Sequence, residues 1–172
     1  AKDGPVGLVH FDAHCDTGDD YLGSKFHHGA PFRRAVEEEL IDPKRTIQMG
    51  IRGSLNDLDQ WKCSHDTGMR VIYMDEFYEL GVKSVIQEIH QVVGQEPCYL
   101  TFDVDGLDPV YAAGTGTPEV GGFSTVEAQL MIRGCRDLNL VGGDVVEVAP
   151  PFDPSGNTAL TGATMMFEIL CV

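Results

Sequence analysis

Residues 6–16 read VGLVHFDAHCD, and this stretch decides how the chain is organised. The apolar run Val6–Phe11 is typical of a buried strand and ends abruptly on polar residues. Asp12, His14 and Asp16 are spaced by two, so their side chains point to one face wherever the backbone is extended. We therefore expect two carboxylates and an imidazole to converge at the end of this strand.

A second acidic pair follows a second apolar run, 98–104 (CYLTFDV), which is also typical of a strand. Asp103 and Asp105 again stand two residues apart at the strand end. Buried carboxylates are unfavourable unless they are paired or bind a cation. Five candidate ligands exceed the needs of one catalytic ion that keeps a water, and they suit two ions about 3.5–4 Å apart. Oxygen ligands with one histidine favour Mn, Fe or Zn over metals that prefer thiolates.

Strand-like and helix-like patterns alternate along the chain, which predicts an α/β fold with a mostly parallel sheet between two helical layers. Long Gly-rich stretches at 13–31 and 106–123 follow strand carboxyl ends, where open α/β sheets bind ligands. The predicted strands are 6–11, 46–51, 70–74, 98–104 and 140–148, and the predicted helices are 32–40, 58–65, 82–93, 124–136 with a Ser124 capping box, and 158–170.

Composition limits the class of partner. The 172 residues include 12 basic and 27 acidic side chains, giving a formal net charge of -15. Such a surface repels nucleic acid and attracts cations. No apolar run approaches the roughly 20 residues of a membrane span. The five cysteines include no C-x-x-C pair, which indicates reduced thiols of a cytoplasmic protein. We therefore expect a small-molecule substrate, with neither nucleic acid nor membrane as partner.

The motifs FDAHCD (11–16) and TFDVDGLDP (101–109) resemble two signatures of the ureohydrolases, the family of arginase, agmatinase and guanidinobutyrase. The stretches 113–122 (AGTGTPEVGG) and 144–150 (DVVEVAP) resemble later motifs of the same family. The resemblance covers essentially the whole chain in order. It implies a three-layer α-β-α fold of the arginase/deacetylase type. It also implies hydrolysis of a guanidino compound to urea and a primary amine, two Mn²⁺ per chain in the intact enzyme, and a trimer or hexamer.

The resemblance assigns a metal role to each of the five acidic-motif residues. Asp12 and Asp103 match carboxylates that bridge both ions. Asp16 matches a ligand of the first ion, and His14 and Asp105 match ligands of the second. These five residues are the metal ligands that we predict.

Substrate and proton-transfer roles follow from the same resemblance. Glu147 matches the carboxylate that holds the guanidinium group, a bidentate partner in chemical terms. His28 matches a histidine that carries protons to the leaving amine, with the adjacent His27 as the rival. Thr117 lies in the substrate-side loop and is expected to accept a hydrogen bond from the guanidino group. Asp105 is the alternative proton source.

One family feature has no counterpart here: a sixth ligand, a histidine in a Gly-Gly-x-His stretch before the first motif. His10 precedes Asp12 by two but belongs to the strand pattern, so we do not assign it as the substitute. The resemblance implies that residues 1–172 are a single partial domain, the C-terminal part of a roughly 300-residue enzyme. The sheet is then expected to be incomplete at its N-terminal side, with an exposed edge.

The loop after the first motif bears on the substrate. Its sequence does not resemble the polar loop with which arginases bind an amino-acid head group, whereas HHGAPFRRA (27–35) resembles agmatinases and guanidino-acid hydrolases. Asp19 and Asp20 would favour the second positive charge of agmatine. Lys25, Arg33 or Arg34 would instead favour a carboxylate substrate.

The sequence therefore predicts cleavage of agmatine to putrescine and urea, a step of polyamine metabolism. Guanidinobutyrase or guanidinopropionase activity is the alternative within the family. Two further hypotheses come from other classes. One is an amidohydrolase of the deacetylase type with a single zinc, and the other is a non-catalytic fragment or partner subunit.

Overall fold

The computed structural model describes residues 4–54 and 59–172, and a five-stranded sheet forms its centre. The strands are β1 (Val6–Phe11), β2 (Ile41–Ile51), β3 (Arg70–Tyr73), β4 (Cys98–Asp103) and β5 (Leu140–Val146). Their order across the sheet is β3-β2-β1-β4-β5, and every neighbouring pair is parallel. The predicted α/β class with a parallel sheet is confirmed.

Helices cover both faces of the sheet. They are α1 (Pro31–Glu37), α2 (Asp59–Thr67), α3 (Met74–Val93), α4 (Thr125–Gly134) and α5 (Asn157–Leu170). Across the described residues, none of them combines the length and the apolar character that a membrane span requires.

Alternation along β1 distributes side chains between two cores. Val9 and Phe11 belong to a large cluster with residues of α3, α4 and α5. Leu8 points the other way and packs in a smaller cluster with Phe32 of α1. Because neighbouring residues of a strand face opposite sides, one buried strand can hold both helical layers. The predicted three-layer arrangement follows from this packing.

The element boundaries depart from the sequence-based prediction in several places. Strand β2 begins at Ile41 instead of 46, because its first residue pairs with Val6 across an irregular, polar stretch that carries no strand pattern. Helix α3 begins at Met74 instead of 82, and it contains a break at Gly81, whose φ is 74°. The predicted helix at 58–65 is found at Asp59–Thr67, while its first predicted residue, 58, lies outside the described residues.

The predicted capping box at the start of α4 is present. Ser124 Oγ accepts a hydrogen bond from Glu127 N, and the Glu127 carboxylate accepts one from Ser124 N at 2.8 Å. These two bonds satisfy backbone donors that the first turn of a helix would otherwise leave without partners.

Strand β5 forms one edge of the described sheet. Its side chains are only partly covered, and Val141 and Val146 are 57% and 38% exposed. Apolar side chains are therefore exposed along an edge strand of the described sheet, and the link of this edge to a missing N-terminal part stays a prediction.

The strand order places the site. The chain runs from β1 outward to β2 and β3, then returns to the other side of β1 to form β4. Such a reversal opens a crevice beyond the strand ends, between loops that leave in opposite directions. The strand register aligns these ends, because Phe11 pairs with Phe102 and Asp103 pairs with Val146. Asp103 is the last residue of β4, while Asp12 and Glu147 directly follow the two neighbouring strands.

Candidate active site

Three donor groups meet at the ends of β1 and β4. Donor atoms of Asp12, His14 and Asp105 all lie within 4.8 Å of one another. His14 Nδ1 is 3.1 Å from Asp105 Oδ2 and 3.4 Å from Asp12 Oδ1, and both carboxylates are buried. Two carboxylates and an imidazole at this spacing are typical ligands of a first-row divalent ion. The three residues form a candidate metal site.

Backbone donors aim these carboxylates. Asp12 Oδ1 accepts a hydrogen bond from His14 N at 2.6 Å, and Asp103 Oδ1 accepts one from Asp105 N at 2.8 Å. Asp105 Oδ1 accepts a third bond from Ala13 N at 3.1 Å, which ties the end of β4 to the end of β1. The two acidic motifs are thus joined into one rigid group, a precondition for a defined ligand geometry.

The carboxyl groups of the site lie so close together that neighbouring residues do not balance their negative charge. Burial and the nearby charges of Asp12 and Asp105 raise the pKa of Asp103 to about 11. Burial also raises the pKa values of Asp12 and Asp16 well above their usual range. Burial is the largest single influence on Asp105 and opposes its ionisation, but the hydrogen bond and charge of His14, together with the hydrogen bond from Ala13 N, lower the pKa of that carboxyl. Such crowding of carboxyl groups is favourable only when cations join them.

The pKa of His14 also indicates that the site favours positive charge. Burial alone would lower the pKa of His14, yet its hydrogen bonds to Asp105 and Asp12 raise that pKa to about 10. A proton on this ring therefore takes the place that a cation would fill. A metal ion has to displace the proton, because only a neutral imidazole coordinates. The donor set and its electrostatics fit divalent metal ions.

A cavity of about 330 Å³ opens beside this group. It brings the predicted site residues together, with Asp12 lying behind its wall, 2% exposed. Glu119, Tyr21 and His27, for which the sequence predicted no ligand role, also line it. The predicted residues on its surface are His14, Asp16, His28, Asp103, Asp105, Thr117 and Glu147.

Two of these residues have strained backbones. Asp16 has φ of 53° and Glu147 has φ of 62°, in the left-handed region that residues other than glycine seldom adopt. Such conformations cost about 1–3 kcal/mol and concentrate where a side chain must be aimed for function. One strained residue lies in the first acidic motif and the other lies just past β5.

The structure distinguishes the remaining predicted residues by their contacts. Thr117 Oγ1 donates a hydrogen bond to Asp105 Oδ2 at 3.0 Å. His28 is exposed at the cavity, whereas His27 has a buried Nε2 for which the described residues offer no hydrogen-bond partner. The roles of His28 and its rival His27 in proton transfer stay predictions.

The charged residues of the loop pair with one another. Asp19 lies 2.9 Å from Arg34, 3.4 Å from Arg33 and 3.7 Å from Lys25, and Asp20 accepts a hydrogen bond from the backbone of Gly23. These four ion-pair partners and Asp20 are absent from the described cavity lining. These charges thus contact one another in the described residues, and their part in selecting between a cationic and an anionic substrate stays a prediction.

Sequence reasoning missed Arg52, which directly follows β2. Its half-buried guanidinium donates to backbone carbonyls of the segment after β4 and of the loop that carries Thr117. A charged residue at the end of an apolar strand was the available signal. The carbonyl groups belong to Gly50, Asp105, Gly106, Leu107, Glu119 and Val120.

Comparison with known proteins gives consistent matches. The model of the Arginase family matches residues 1–172. A guanidinopropionase from Pseudomonas aeruginosa is 57% identical over 99% of this chain and 54% of its own length. A mitochondrial agmatinase from Gallus gallus is 53% identical over 99% of this chain and 50% of its own length. The solved structure of proclavaminate amidino hydrolase from Streptomyces clavuligerus has a TM-score of 0.94 at 42% identity, covering 98% of this chain and 56% of that one.

The chain spans about half the length of the curated relatives it matches. Within that span the agreement is continuous, from β1 with its first acidic motif to α5 at the end. The parallel sheet, the paired acidic motifs at adjacent strand ends and the match over residues 1–172 lead to one conclusion: this chain belongs to the arginase family.

Proposed function

We propose that the protein is a binuclear-metal hydrolase that cleaves a guanidino compound to urea and a primary amine. The observation that carries this proposal is the convergence of Asp12, His14 and Asp105 on a cavity that Glu147 also lines. A guanidinium is a planar cation, and a carboxylate binds it through two parallel hydrogen bonds. An acid-lined cavity is complementary to such a substrate.

Five residues between positions 12 and 105 would supply the metal ligands. Asp12, Asp103, Asp16, His14 and Asp105 would hold two Mn²⁺, with Asp12 and Asp103 shared between the ions, Asp16 serving the first and His14 and Asp105 the second. When bound, such a pair supplies an activated water near neutral pH. The raised pKa values of Asp103 and His14 support this assignment, since they mark groups whose protons metal ions would displace.

The chain's own side chains would bind the substrate and move its protons. Glu147 holds the guanidinium and fixes its plane against the attacking side, and its strained backbone supports an aimed role. Thr117, already in contact with Asp105, orients the guanidino nitrogens. His28 passes a proton to the departing amine, with Asp105 as the alternative donor and His27 as the rival to His28.

Agmatine is our first substrate, and the charge of the cavity supports it. Four carboxylates assigned to metal offset two divalent ions, and Glu147 offsets the guanidinium. Glu119 then remains on the lining as a further acid, while the described lining contains neither lysine nor arginine. An ammonium group at the far end of the substrate would pair with Glu119. Guanidinopropionate or guanidinobutyrate is the second candidate, favoured by the name of the 57% identical guanidinopropionase.

The setting of the enzyme is proposed from the same family. We propose that residues 1–172 form part of one longer domain, and that the intact enzyme is a homo-oligomer, a trimer or hexamer. We propose a cytoplasmic location from the wide spacing of the five cysteines, which include no C-x-x-C pair.

Urea release tests the proposal. The protein would be loaded with Mn²⁺ and assayed with agmatine, 4-guanidinobutyrate, 3-guanidinopropionate and arginine. Residues 1–172 and a polypeptide extended upstream to the length of its relatives would be compared. We expect urea from agmatine, and its loss in Glu147→Gln but not in the matched surface variant Glu96→Gln.

The outcomes separate the candidates. A guanidino acid cleaved in preference to agmatine would establish the second candidate substrate. Glu119→Gln should reduce the preference for agmatine over 4-guanidinobutyrate if Glu119 binds the ammonium group. Two metal ions bound per chain without urea from any substrate would refute the proposed reaction.

A further inference from the structure

A buried histidine lies directly behind the Asp12 carboxylate. His10 is 1% exposed, and its Nε2 is 2.8 Å from Asp12 Oδ2. The register of β1 and β2 places His10 beside Gln48, which is fully buried. Gln48 Nε2 is 3.0 Å from His10 Nδ1. Gln48, His10 and Asp12 thus form a continuous chain of polar side chains inside the fold.

The direction of each hydrogen bond that links Gln48, His10 and Asp12 can be worked out. Gln48 Nε2 is also 2.6 Å from the carbonyl oxygen of Cys15, and a carbonyl can only accept. The amide nitrogen is therefore correctly placed on that side, and it donates its second hydrogen to His10 Nδ1. An imidazole that accepts at Nδ1 carries its single proton on Nε2. His10 Nε2 therefore donates to Asp12 Oδ2.

The other end of the Gln48 amide carries a cost in this orientation. Gln48 Oε1 is buried, and the described residues provide it with no hydrogen-bond partner. Leaving a buried oxygen without a partner is unfavourable. The reversed amide would place this oxygen against the Cys15 carbonyl, two acceptors facing each other, so the observed orientation is the one that the surroundings permit.

We propose that Gln48 and His10 are positioning residues that fix the orientation of the Asp12 carboxylate for metal binding. This inference rests on the metal site of the proposed function. The bond from His10 holds Asp12 Oδ2 while the backbone of His14 holds Oδ1, and a neutral imidazole adds no positive charge that would oppose a cation. Partners that orient a ligand from behind typically change metal affinity by about 10- to 100-fold when removed.

A purely structural role is the competing explanation, since His10 also contacts the Phe32 ring with centroids 4.4 Å apart. Variants can separate the two roles. His10→Phe keeps an aromatic ring but removes the donor, and His10→Gln keeps a donor. Gln48→Glu replaces the donor to Nδ1 by an acceptor. Thr46→Val is the matched control, because Thr46 is a buried polar residue of the same strand that bonds to the Asp42 carbonyl.

The experiment uses the protein extended to the length of its relatives, with two readouts besides activity. Nitrogen-15 NMR of the metal-free protein reports which ring nitrogen of His10 carries the proton. Calorimetric titration with Mn²⁺ reports affinity and the number of ions bound. We expect a proton on Nε2 alone in the unmodified protein and a proton on Nδ1 in Gln48→Glu. Metal affinity should fall about 10- to 100-fold in His10→Phe and Gln48→Glu, and stay within about threefold in His10→Gln and Thr46→Val.

Contrary results are equally specific. An Nδ1–H ring at His10 in the unmodified protein would overturn the inference without any variant having to fold. If His10→Phe bound Mn²⁺ as tightly as the unmodified protein, or if Thr46→Val lost as much affinity as His10→Phe, the role of Gln48 and His10 would be core packing. An unmodified protein that binds no Mn²⁺ would overturn the proposed metal site itself, and with it this inference.

Discussion

Replacing Arg52 tests whether one side chain holds the two site loops together. Arg52 donates to the Asp105 carbonyl at 2.8 Å and to the Glu119 carbonyl, with further bonds to Gly106 and Val120. Arg52→Met keeps an unbranched apolar stem but removes every donor. The change therefore leaves backbone carbonyls of both loops without partners while its own apolar stem is retained.

The magnitude follows from the number and kind of these bonds. A hydrogen bond from a charged donor contributes about 1.5–3 kcal/mol, but such bonds within one network do not add. Burial lowers the pKa of Arg52, so removing the charge also relieves a desolvation cost. We expect the free energy of unfolding to fall by about 3–5 kcal/mol, near the upper limit for single substitutions. The free energy of unfolding of Arg52→Lys should lie between those of Arg52→Met and the unmodified protein, because an ammonium group cannot bind several carbonyls at once as the guanidinium does.

Urea denaturation of the metal-free protein measures the effect. The midpoint should fall with little change in slope, which identifies lost stability instead of a change in compactness. Arg136→Met, at an exposed arginine, is the control and should change stability by less than about 0.5 kcal/mol. If Arg52→Met also stayed within about 1 kcal/mol of the unmodified protein, solvent would be satisfying the carbonyls and the reasoning would be refuted.

Three further predictions concern charge and capping. In the metal-free protein, stability should fall as pH rises from about 7 to 9, by about 1.4 kcal/mol per pH unit for each extra proton that the folded state binds. Stability falls with pH because folding raises the pKa of Asp103 from 3.8 to about 11 and that of His14 from 6.5 to about 10. Thermal melting in EDTA measures the effect, and stability that rose over this pH range would contradict the prediction. Asp103→Asn keeps the oxygen that accepts from Asp105 N and removes a buried acid, so metal-free stability at alkaline pH should rise by about 2 kcal/mol while calorimetry shows Mn²⁺ affinity lost; retained affinity would exclude Asp103 as a ligand. Ser124→Ala should cost about 1 kcal/mol in urea denaturation and leave metal affinity unchanged, and a changed affinity would mean that the α4 cap is coupled to the site.

Local sequence determined the strand ends and the kind of chemistry they carry. Val6–Phe11 is mostly apolar and is followed by Asp12, so both the strand and its polar end follow from neighbouring residues. The capping box of Ser124 is equally local, since its two partners are three residues apart. Carboxylates spaced by two after such strands indicated a metal site, because their burial has few other favourable outcomes.

Only the tertiary structure decided which strand ends meet. β1 lies between β2 and β4, so Asp12 and Asp105 share a site although 92 residues separate Ala13 from its hydrogen-bond partner Asp105. The pairing of His10 with Gln48 and the bonds of Arg52 across two loops likewise depend on register and strand order. The loop acid Asp19 is held by three cations for the same reason. Contacts between distant segments leave no periodicity in the chain, so a pattern of neighbouring residues predicts the groups but not their partners.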